Sequence, residues 1–492
     1  MFFERIADPA LSQNAYLIGC QRTGEAIVVD PQRDVDRYFD AARIAGLNLT
    51  AATETHIHAD FVSGSRQLAN SGVRVYLSAC GPGDWRYSWA SGGDGSGPGS
   101  SNQAPVTLVK DGDVIRVGQV RLYVIHTPGH TPEHISFLVC ERGFGAKTPM
   151  GVITGDFVFV GSAGRPDLLE SAVGVEGAMK PSARDLHASL GRFLELPDYV
   201  QVWPGHGAGS ACGKSLGAVH GSTVGYERLF NEAILKAAEG AGEFVKYILD
   251  EQPEPPSYFS RMKRVNQHGP DLLRSWELPP RMSPAQLAGA PLVVDARSDR
   301  SAFMEEHLPG SIYALPSGSF PTSVGSLLTD PEQPFALVAD HLAVEMLVRC
   351  LWRVGLDNCV GWAPPEAVVQ AMELAGRASI TEVDYRQVEE VLEAGRGTVL
   401  DVRAATEHAS GHIPGSLNAT HTQLPSRTAM LREAIDAGRP GPLIVHCKTG
   451  GRAAIAASYL AREGFDVLYV NDNITRAPGL TAPPQPTTAC AV

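Results

Sequence analysis

Cysteine is scarce and unpaired in this chain of 492 residues. The eight cysteines are scattered, and none belongs to a C-x-x-C pair. This spacing excludes a disulfide framework of the kind that holds small secreted proteins together, and it gives no indication of a structural zinc cluster. We therefore expect most of the thiols to be buried apolar side chains.

Long basic runs and long apolar runs are also missing. The net charge is −13 and no run of five or more basic residues occurs, which disfavours a nucleic-acid partner on electrostatic grounds and weakens a nuclease hypothesis. No uninterrupted apolar stretch approaches the length of a membrane span. Residues 1–9 carry acidic residues and a proline where a signal peptide needs a basic start. We expect a cytoplasmic homo-oligomer with no membrane contact.

The most informative segment is residues 55–61, which reads T-H-I-H-A-D-F. Hydrolases that hold two metal ions in one site carry the pattern H-x-H-x-D-H, and here Phe61 stands at the position of the last histidine. A phenyl ring cannot ligate a metal ion, so the second metal position is one donor short. The sequence therefore predicts one metal ion rather than two.

Two further candidate ligands follow strand-like segments downstream. His130 follows a β-rich run and a Pro-Gly turn, and Asp156 follows an apolar run that ends in glycine. His56 likewise follows a strand-like segment. Two histidines and one carboxylate with open positions suit non-haem Fe(II) chemistry with oxygen, and the same trio could hold a catalytic zinc with a bound water. The ligand types alone leave both metals open.

With these motifs in place, residues 1–255 resemble the metallo-β-lactamase fold, an αββα sandwich, and within it the persulfide dioxygenase branch rather than the glyoxalase II branch. The resemblance implies that His56, His130 and Asp156 bind one Fe(II) per chain. Residues 164–167 (G-R-P-D) are similar to a conserved stretch of that branch, and residues 202–207 (V-W-P-G-H-G) resemble the last metal-site loop of the fold.

Other polar residues near these motifs are candidates for positioning a ligand or contacting substrate. We expect His58 and Asp60 to orient metal ligands. His206 is either a substrate-pocket residue or a structural histidine, and Arg165 is either an anchor for a substrate carboxylate or part of a surface ion pair. Cys212 is either a small turn residue or a carrier of sulfur near the iron. The second role is implied by the resemblance to fused persulfide dioxygenase-sulfurtransferases, which have a similar cysteine.

The chain is too long for one hydrophobic core and predicts about three domains. A proline-rich run at residues 253–256 marks the end of the first domain near residue 255. Beyond it the segments D-A-R and H-L-P-G-S recur about a hundred residues later as D-V-R and H-I-P-G-S. Each copy alternates short apolar strands with helices, which predicts a parallel α/β sheet, and both copies resemble rhodanese domains.

Only the second copy, residues 374–476, retains the chemistry of that family. Its buried strand runs into C-K-T-G-G-R, in which a cysteine opens a short loop that leads into a helix N-terminus. Inward-pointing N–H groups and the helix dipole favour an anion there, such as a thiolate, a persulfide or a sulfite. The loop matches the rhodanese pattern C-x-x-G-x-R. The match implies Cys447 as nucleophile and Arg452 as the residue that closes a sulfur-transfer loop comprising also Lys448, Thr449, Gly450 and Gly451.

In the first copy, residues 270–370, the corresponding strand ends in D-H-L-A. The cysteine, the glycines and the arginine are missing, and an aspartate cannot carry sulfane sulfur. We interpret this copy as a degenerate rhodanese with a packing or docking role. Two low-complexity segments complete the prediction: a Gly- and Ser-rich surface loop at residues 81–103 and a flexible tail at residues 477–492.

The order of these parts resembles the persulfide dioxygenase-sulfurtransferases of bacterial sulfide detoxification. The resemblance implies that a low-molecular-weight thiol persulfide is oxidised by O2 to sulfite, and that Cys447 passes sulfane sulfur to sulfite to form thiosulfate. Covalent fusion raises the effective concentration of sulfite at its acceptor. Three alternatives remain: a glyoxalase II-like thioester hydrolase fused to a thiosulfate sulfurtransferase, a sulfurtransferase whose first domain only binds, and a nonenzymatic sulfide sensor.

Overall fold

The computed structural model describes residues 1–90, 106–171, 174–214, 216–273, 275–436 and 441–480. The chain forms two compact units, one of Met1–Trp276 together with Trp352–Gly355, and one of the remaining residues from Glu277 onward. Most of the segment predicted as a Gly- and Ser-rich loop, and most of the predicted tail, lie outside the described residues. No helix of the described ranges is long and apolar enough to cross a membrane.

The first unit contains two six-stranded sheets and one short hairpin. Its strands are β1 (Phe2–Asp8), β2 (Gln13–Cys20), β3 (Glu25–Val29), β4 (Asn48–Thr53), β5 (Arg74–Ser78), β6 (Val106–Val109), β7 (Val114–Val117), β8 (Val120–His126), β9 (Ile135–Glu141), β10 (Gly151–Gly155), β11 (Val158–Phe159), β12 (Ser162–Ala163), β13 (Gln201–Pro204) and β14 (Ser222–Thr223). Its helices are α1 (Asp36–Ile44), α2 (Ser65–Asn70), α3 (Leu168–Ser171), α4 (Met179–Leu194), α5 (Val224–Phe230), α6 (Glu232–Glu239), α7 (Ala241–Leu249) and α8 (Phe259–His268).

Three apolar layers hold this unit together. The first sheet has the order β1-β2-β3-β4-β5-β6, and the second has the order β14-β13-β10-β9-β8-β7. One buried cluster joins the first sheet to α1 and α2, one lies between the two sheets, and one joins the second sheet to helices α4 to α7. Because each sheet is apolar on both faces, its outer face must be covered by helices. The result is an αββα sandwich.

The second unit contains one four-stranded and one five-stranded sheet, both parallel. Its strands are β15 (Val293–Asp295), β16 (Ile312–Tyr313), β17 (Phe335–Val338), β18 (Cys359–Ala363), β19 (Thr381–Val383), β20 (Thr398–Asp401), β21 (Leu417–Asn418), β22 (Leu443–His446) and β23 (Val467–Val470). Its helices are α9 (Pro284–Ala288), α10 (Arg300–Glu305), α11 (Phe320–Leu327), α12 (Val344–Arg353), α13 (Glu366–Ala375), α14 (Tyr385–Glu393), α15 (Ala405–Ala409), α16 (Leu424–Asp436) and α17 (Gly451–Arg462).

The two sheets of this unit share one strand order. The first is β16-β15-β17-β18, and the second is β21-β20-β22-β23 with β19 added at the edge of β23. This equality is what the duplicated sequence segments predict. In both sheets the central strands are short and buried except for Thr398 at the start of β20, as parallel strands covered by helices on both faces must be.

Candidate metal centre and sulfur-transfer loop

Three loops meet where strands β4, β8 and β10 end, and each supplies one buried side chain. His56, His130 and Asp156 are each no more than 1% exposed, and one possible ligand atom from each lies within 4.8 Å of the others. His56 Nε2 is 4.0 Å and His130 Nε2 is 3.7 Å from Asp156 Oδ2. The three residues that sequence reasoning singled out therefore converge.

Hydrogen bonds on the far side of each ring fix which nitrogen is free. Thr55 Oγ1 donates to Asp30, so the 2.9 Å contact between Thr55 Oγ1 and His56 Nδ1 requires the ring nitrogen to donate. His130 Nδ1 donates to the carbonyl of Arg165 at 3.0 Å. Both Nε2 atoms thus carry a lone pair that faces Asp156, the orientation that metal-binding histidines take from such outer partners.

The charge states also fit a metal ion. Burial lowers the pKa of His56 and of His130 well below the ordinary value, so both rings are neutral. Burial raises the pKa of Asp156 to about 6, and neither of its carboxylate oxygens has a hydrogen-bond partner in the part of the chain that the structure describes. A buried carboxylate without donors is costly unless a cation meets it. The donor set therefore fits a bound divalent metal.

His58 does not point at this group but supports it. Its Nε2 lies 3.2 Å from Asp30 Oδ1, and the same carboxylate accepts a hydrogen bond from the backbone N–H of Thr55 at 2.6 Å. Burial opposes a charge on His58, but Asp30 outweighs it and raises the pKa of the ring to about 9. The resulting cation fixes Asp30, which fixes Thr55 and through it His56. That His58 positions a metal ligand stays a prediction, and these contacts are consistent with it.

A second donor group adjoins the first. Asp60, His206 and Cys212 are buried, and their possible ligand atoms lie within 4.8 Å of one another. His206 Nε2 is 3.3 Å from Asp60 Oδ2 and 3.5 Å from Asp156 Oδ1, while its Nδ1 donates to the carbonyl of Ser12 at 3.2 Å. Burial, together with the two carboxylates, raises the pKa of the Cys212 thiol well above its ordinary value.

The five-stranded sheet of the second unit positions a cysteine loop at the end of its strand β22. Cys447 follows the buried strand β22 and is 2% exposed, and helix α17 begins four residues later at Gly451. Gly450 has a φ of 90°, and a Cβ there would meet Asn471 Oδ1 at 2.7 Å. Only glycine fits this position without strain. Lys448 and Thr449 are exposed on the loop.

The comparisons with known proteins agree with this geometry. The profile of the metallo-beta-lactamase superfamily matches residues 8–206, and that of the rhodanese-like domain matches residues 384–475. A crystal structure of a metallo-beta-lactamase from Staphylococcus aureus is 37% identical and has a TM-score of 0.64, covering 74% of this chain and 99% of its own. The chain belongs to the metallo-beta-lactamase superfamily. The predicted fold class, a metallo-β-lactamase sandwich followed by rhodanese-like parallel α/β structure, is confirmed.

Two curated relatives of the lactamase domain carry different activities in their names. A hydroxyacylglutathione hydrolase of Gloeobacter violaceus is 33% identical over 200 residues, 40% of this chain and 65% of the relative's own length. The human mitochondrial persulfide dioxygenase ETHE1 is 27% identical over 252 residues, 50% of this chain and 80% of its own length. The likeness therefore establishes the fold and a metal site, and both activities remain candidates.

Arg165 forms a buried ion pair in the lactamase domain. The side chain is 1% exposed and pairs twice with Asp167, at 2.8 and 2.6 Å, while its Nη1 donates to the carbonyl of Ala211 at 3.0 Å. The ion pair is buried rather than on the surface. Three of the five guanidinium N–H groups are used in these contacts, and a role of Arg165 as a substrate anchor stays a prediction. Arg165 ties the His130 loop to the loop of Cys212.

Sequence reasoning named Cys212 as a turn residue or a sulfur carrier near the iron, but not as a third donor beside Asp60 and His206. It took Phe61 to leave the second metal position short of a donor, and Phe61 is indeed fully buried, 4.3 Å from His58 between ring centroids. The structure brings the Cys212 thiol to the group from another loop. The absence of one histidine therefore does not by itself limit the lactamase domain to one metal ion.

Helix α8 is a further contributor that no motif indicated. Asn266 Nδ2 donates to the carbonyls of His58 and Phe61 at 2.8 and 2.7 Å, and Asn266 Oδ1 accepts from the N–H of Ser63 at 2.8 Å. Tyr258, just before the helix, donates its hydroxyl to the carbonyl of Asp60 at 3.0 Å. Side chains of the helix and of Tyr258 thus hold the backbone of residues 56–63, which we call the metal loop. Such a role leaves no local sequence pattern.

In the rhodanese-like domain the arginine of the C-x-x-G-x-R loop has a local partner. Arg452 forms two hydrogen bonds with Glu407, at 2.6 and 2.9 Å, and its guanidinium lowers the pKa of that carboxyl. Its part in closing the sulfur-transfer loop stays a prediction. Because Glu407 balances its charge, Arg452 contributes less to attracting an anion than the bare motif suggests.

A second arginine reaches the same loop from the preceding repeat. Arg300, on α10, donates from Nη2 to the carbonyl of Thr449 and from Nε to Asn471 Oδ1, both at 3.0 Å. The described chain offers it no carboxylate within ion-pair distance. A residue from the segment that lacks the cysteine thus places a cation at the cysteine loop, and the packing or docking role of that segment stays a prediction.

Proposed function

We propose that this protein oxidises a low-molecular-weight thiol persulfide with O2 to sulfite at one Fe(II), and that Cys447 transfers sulfane sulfur to sulfite. The observation that carries the proposal is the convergence of two neutral imidazoles and one unpartnered carboxylate in the same chain as an intact cysteine loop. Such a two-histidine, one-carboxylate set with open positions suits non-haem iron.

The protein's own groups prepare the first step. His56, His130 and Asp156 would hold the metal, and their nearly complete burial excludes bulk water. Iron, when bound, would supply the redox chemistry that reaction with O2 requires. The chain Asp30, Thr55 and His56 holds one ligand ring in place, and the Arg165 carbonyl holds the other. The balanced reaction consumes one persulfide, one O2 and one water, and it yields the carrier thiol and sulfurous acid, present as sulfite.

The second step belongs to the rhodanese-like domain. The Cys447 thiolate attacks the outer sulfur of another persulfide, and the carrier thiol leaves with a proton. Sulfite then attacks the outer sulfur of the Cys447 persulfide, which forms thiosulfate and releases the thiolate. Backbone N–H groups at the start of α17 and the Arg300 guanidinium favour these anions.

The decisive experiment measures bound metal and persulfide-driven O2 consumption on the purified chain. We expect about one iron per chain and O2 uptake that His130→Ala abolishes. Cys447→Ser should leave O2 uptake intact, with sulfite accumulating in place of thiosulfate, whereas Cys359→Ser should behave like the wild type. O2 uptake that survives His130→Ala, or thiosulfate yield unchanged by Cys447→Ser, would refute the scheme.

A second candidate is a glyoxalase II-like thioester hydrolase with two metal ions, fused to the sulfurtransferase. The group Asp60, His206 and Cys212 favours it, because those donors adjoin Asp156 and could hold a second ion. This hypothesis predicts two metal ions per chain, thioester hydrolysis without O2, and loss of one ion in Cys212→Ser. Under the dioxygenase hypothesis Cys212→Ser retains its single iron, and a fall in turnover alone would indicate that Cys212 carries sulfur.

A further inference from the structure

Helix α8 lies beyond residue 206, where the match to the superfamily profile ends. Its side chains nevertheless reach the metal loop, since Asn266 binds the backbone of that loop at three points. Residues three apart on a helix share a face. Lys263, three residues before Asn266, therefore lies one turn earlier on the face that meets the metal loop.

Lys263 is an unusual lysine. It is 3% exposed, and its Nζ lies 4.5 Å from the centre of the Trp85 ring. Among the described residues the Nζ has neither a hydrogen-bond acceptor nor an ion-pair partner. A lysine is almost never fully buried unless it is paired, because taking an ammonium out of water is costly. The ring quadrupole of Trp85 offsets only part of this cost.

Lys263 interacts electrostatically with His130 and Asp156, which together with His56 form the group that we call the metal group. Burial lowers its pKa to about 8, while Glu133, Cys212 and Asp156 attract its charge. Its charge in turn contributes to the lowered pKa of His130. The ammonium is thus within electrostatic reach of a ligand from each donor group. Glu133 Oε2 is likewise buried without a hydrogen-bond partner among the described residues, and burial raises the pKa of that carboxyl.

We propose that Lys263 binds an anionic group of the substrate beside the metal group. This inference rests on the proposed function and adds a residue that recognises the charge of the substrate. The anion is either a carboxylate of the carrier thiol or the ionised terminal sulfur of the persulfide. Either would give the buried ammonium the acceptor that the protein does not supply, and a charge-assisted hydrogen bond is the strong kind.

The test compares Lys263→Met, Lys263→Arg and the exposed control Lys246→Met. Steady-state O2 uptake is measured with glutathione persulfide and with the persulfide of glutathione diethyl ester, which lacks the carboxylates. Binding of glutathione and of its diethyl ester to the metal-free protein is measured by calorimetry. Iron content and melting temperature are recorded for each variant.

If the carrier carboxylate is the anion, Lys263→Met raises KM for glutathione persulfide at least tenfold, spares the ester, and weakens binding of glutathione to the metal-free protein. If the terminal sulfur is the anion, KM rises for both persulfides while glutathione binding is unchanged. In both cases Lys263→Arg retains most of the affinity, and Lys263→Met melts at a higher temperature because a costly buried charge is gone.

Unchanged KM and binding in Lys263→Met would overturn the inference. So would a lower melting temperature with equal effects of the Met and Arg variants, since that pattern marks a structural lysine. Should Lys263→Met fail to fold, Lys263→Gln takes its place in every measurement. Absence of persulfide-driven O2 uptake in the wild type would instead refute the proposed function, which separates the two failures.

Discussion

Replacing Asn266 by alanine should loosen the metal loop by a predictable amount. The side chain makes three buried hydrogen bonds to the loop, of 2.7, 2.8 and 2.8 Å. Each contributes roughly 1 kcal/mol net, and more where a buried group is left unsatisfied. The loss is thus about 3 kcal/mol, and 1.4 kcal/mol is tenfold in an equilibrium, so local opening should become about 100-fold more frequent.

Amide hydrogen exchange measures this opening directly. Peptides covering residues 56–63 should lose about two orders of magnitude of protection in Asn266→Ala, and a chelator should strip metal from the variant correspondingly faster. The control is Asn358→Ala, which removes an exposed bond of 2.8 Å to the Glu332 carbonyl and should change little. Protection of residues 56–63 within threefold of the wild type would refute the proposed fastening by α8.

Three further predictions concern the cysteine loop and the buried lysine. Arg300→Met should lower kcat/KM for sulfur transfer from thiosulfate about tenfold without altering O2 uptake, and Arg377→Met, on an exposed arginine, should not; equal rates would exclude a role for Arg300. Gly450→Ala should lower the free energy of unfolding by about 2 kcal/mol or more and abolish sulfur transfer, because the φ of Gly450 is 90° and the added Cβ would clash. The control is Gly289→Ala, whose added Cβ would meet no atom closer than 3.6 Å. Calorimetry should find this control nearly neutral. The stability gained in Lys263→Met should shrink as pH rises from about 8 to about 10.4, because the pKa of the lysine is about 8 in the folded state and higher in the unfolded state. Denaturant titrations measure the difference in free energy of unfolding between Lys263→Met and the wild type. An equal difference at pH 7 and at pH 10 would contradict the buried charge.

The sequence predicted the parts of the site that are local. His56, His130 and Asp156 each follow a strand, and the ends of neighbouring strands bring such residues together without knowledge of the whole fold. The cysteine loop was predictable for the same reason, since its strand, glycines and helix are consecutive. A short motif carries both its residue types and its geometry.

The contributions that were missed depend on contacts between distant segments. Asn266 binds residues more than 200 positions earlier, and nothing in the residues around it distinguishes it from other helical polar residues. Cys212 was a candidate near the iron, but its place beside Asp60 and His206 depends on segments that are far apart in the sequence. Arg165 was assigned a substrate role or a surface ion pair from its motif, but only the structure shows that Asp167 and a backbone carbonyl use three of its N–H donors.

Helix α8 has a practical consequence for anyone who cuts this chain into pieces. A fragment that stops at the proline run would contain every residue of the superfamily match and both donor groups. By sequence comparison it would look like a complete domain. It would nevertheless lack Asn266, which binds the backbone of the metal loop, and Lys263, which packs against the Trp85 ring. Loss of metal from such a fragment would then be misread as weak ligands, when the missing element is a ten-residue helix that carries no ligand at all.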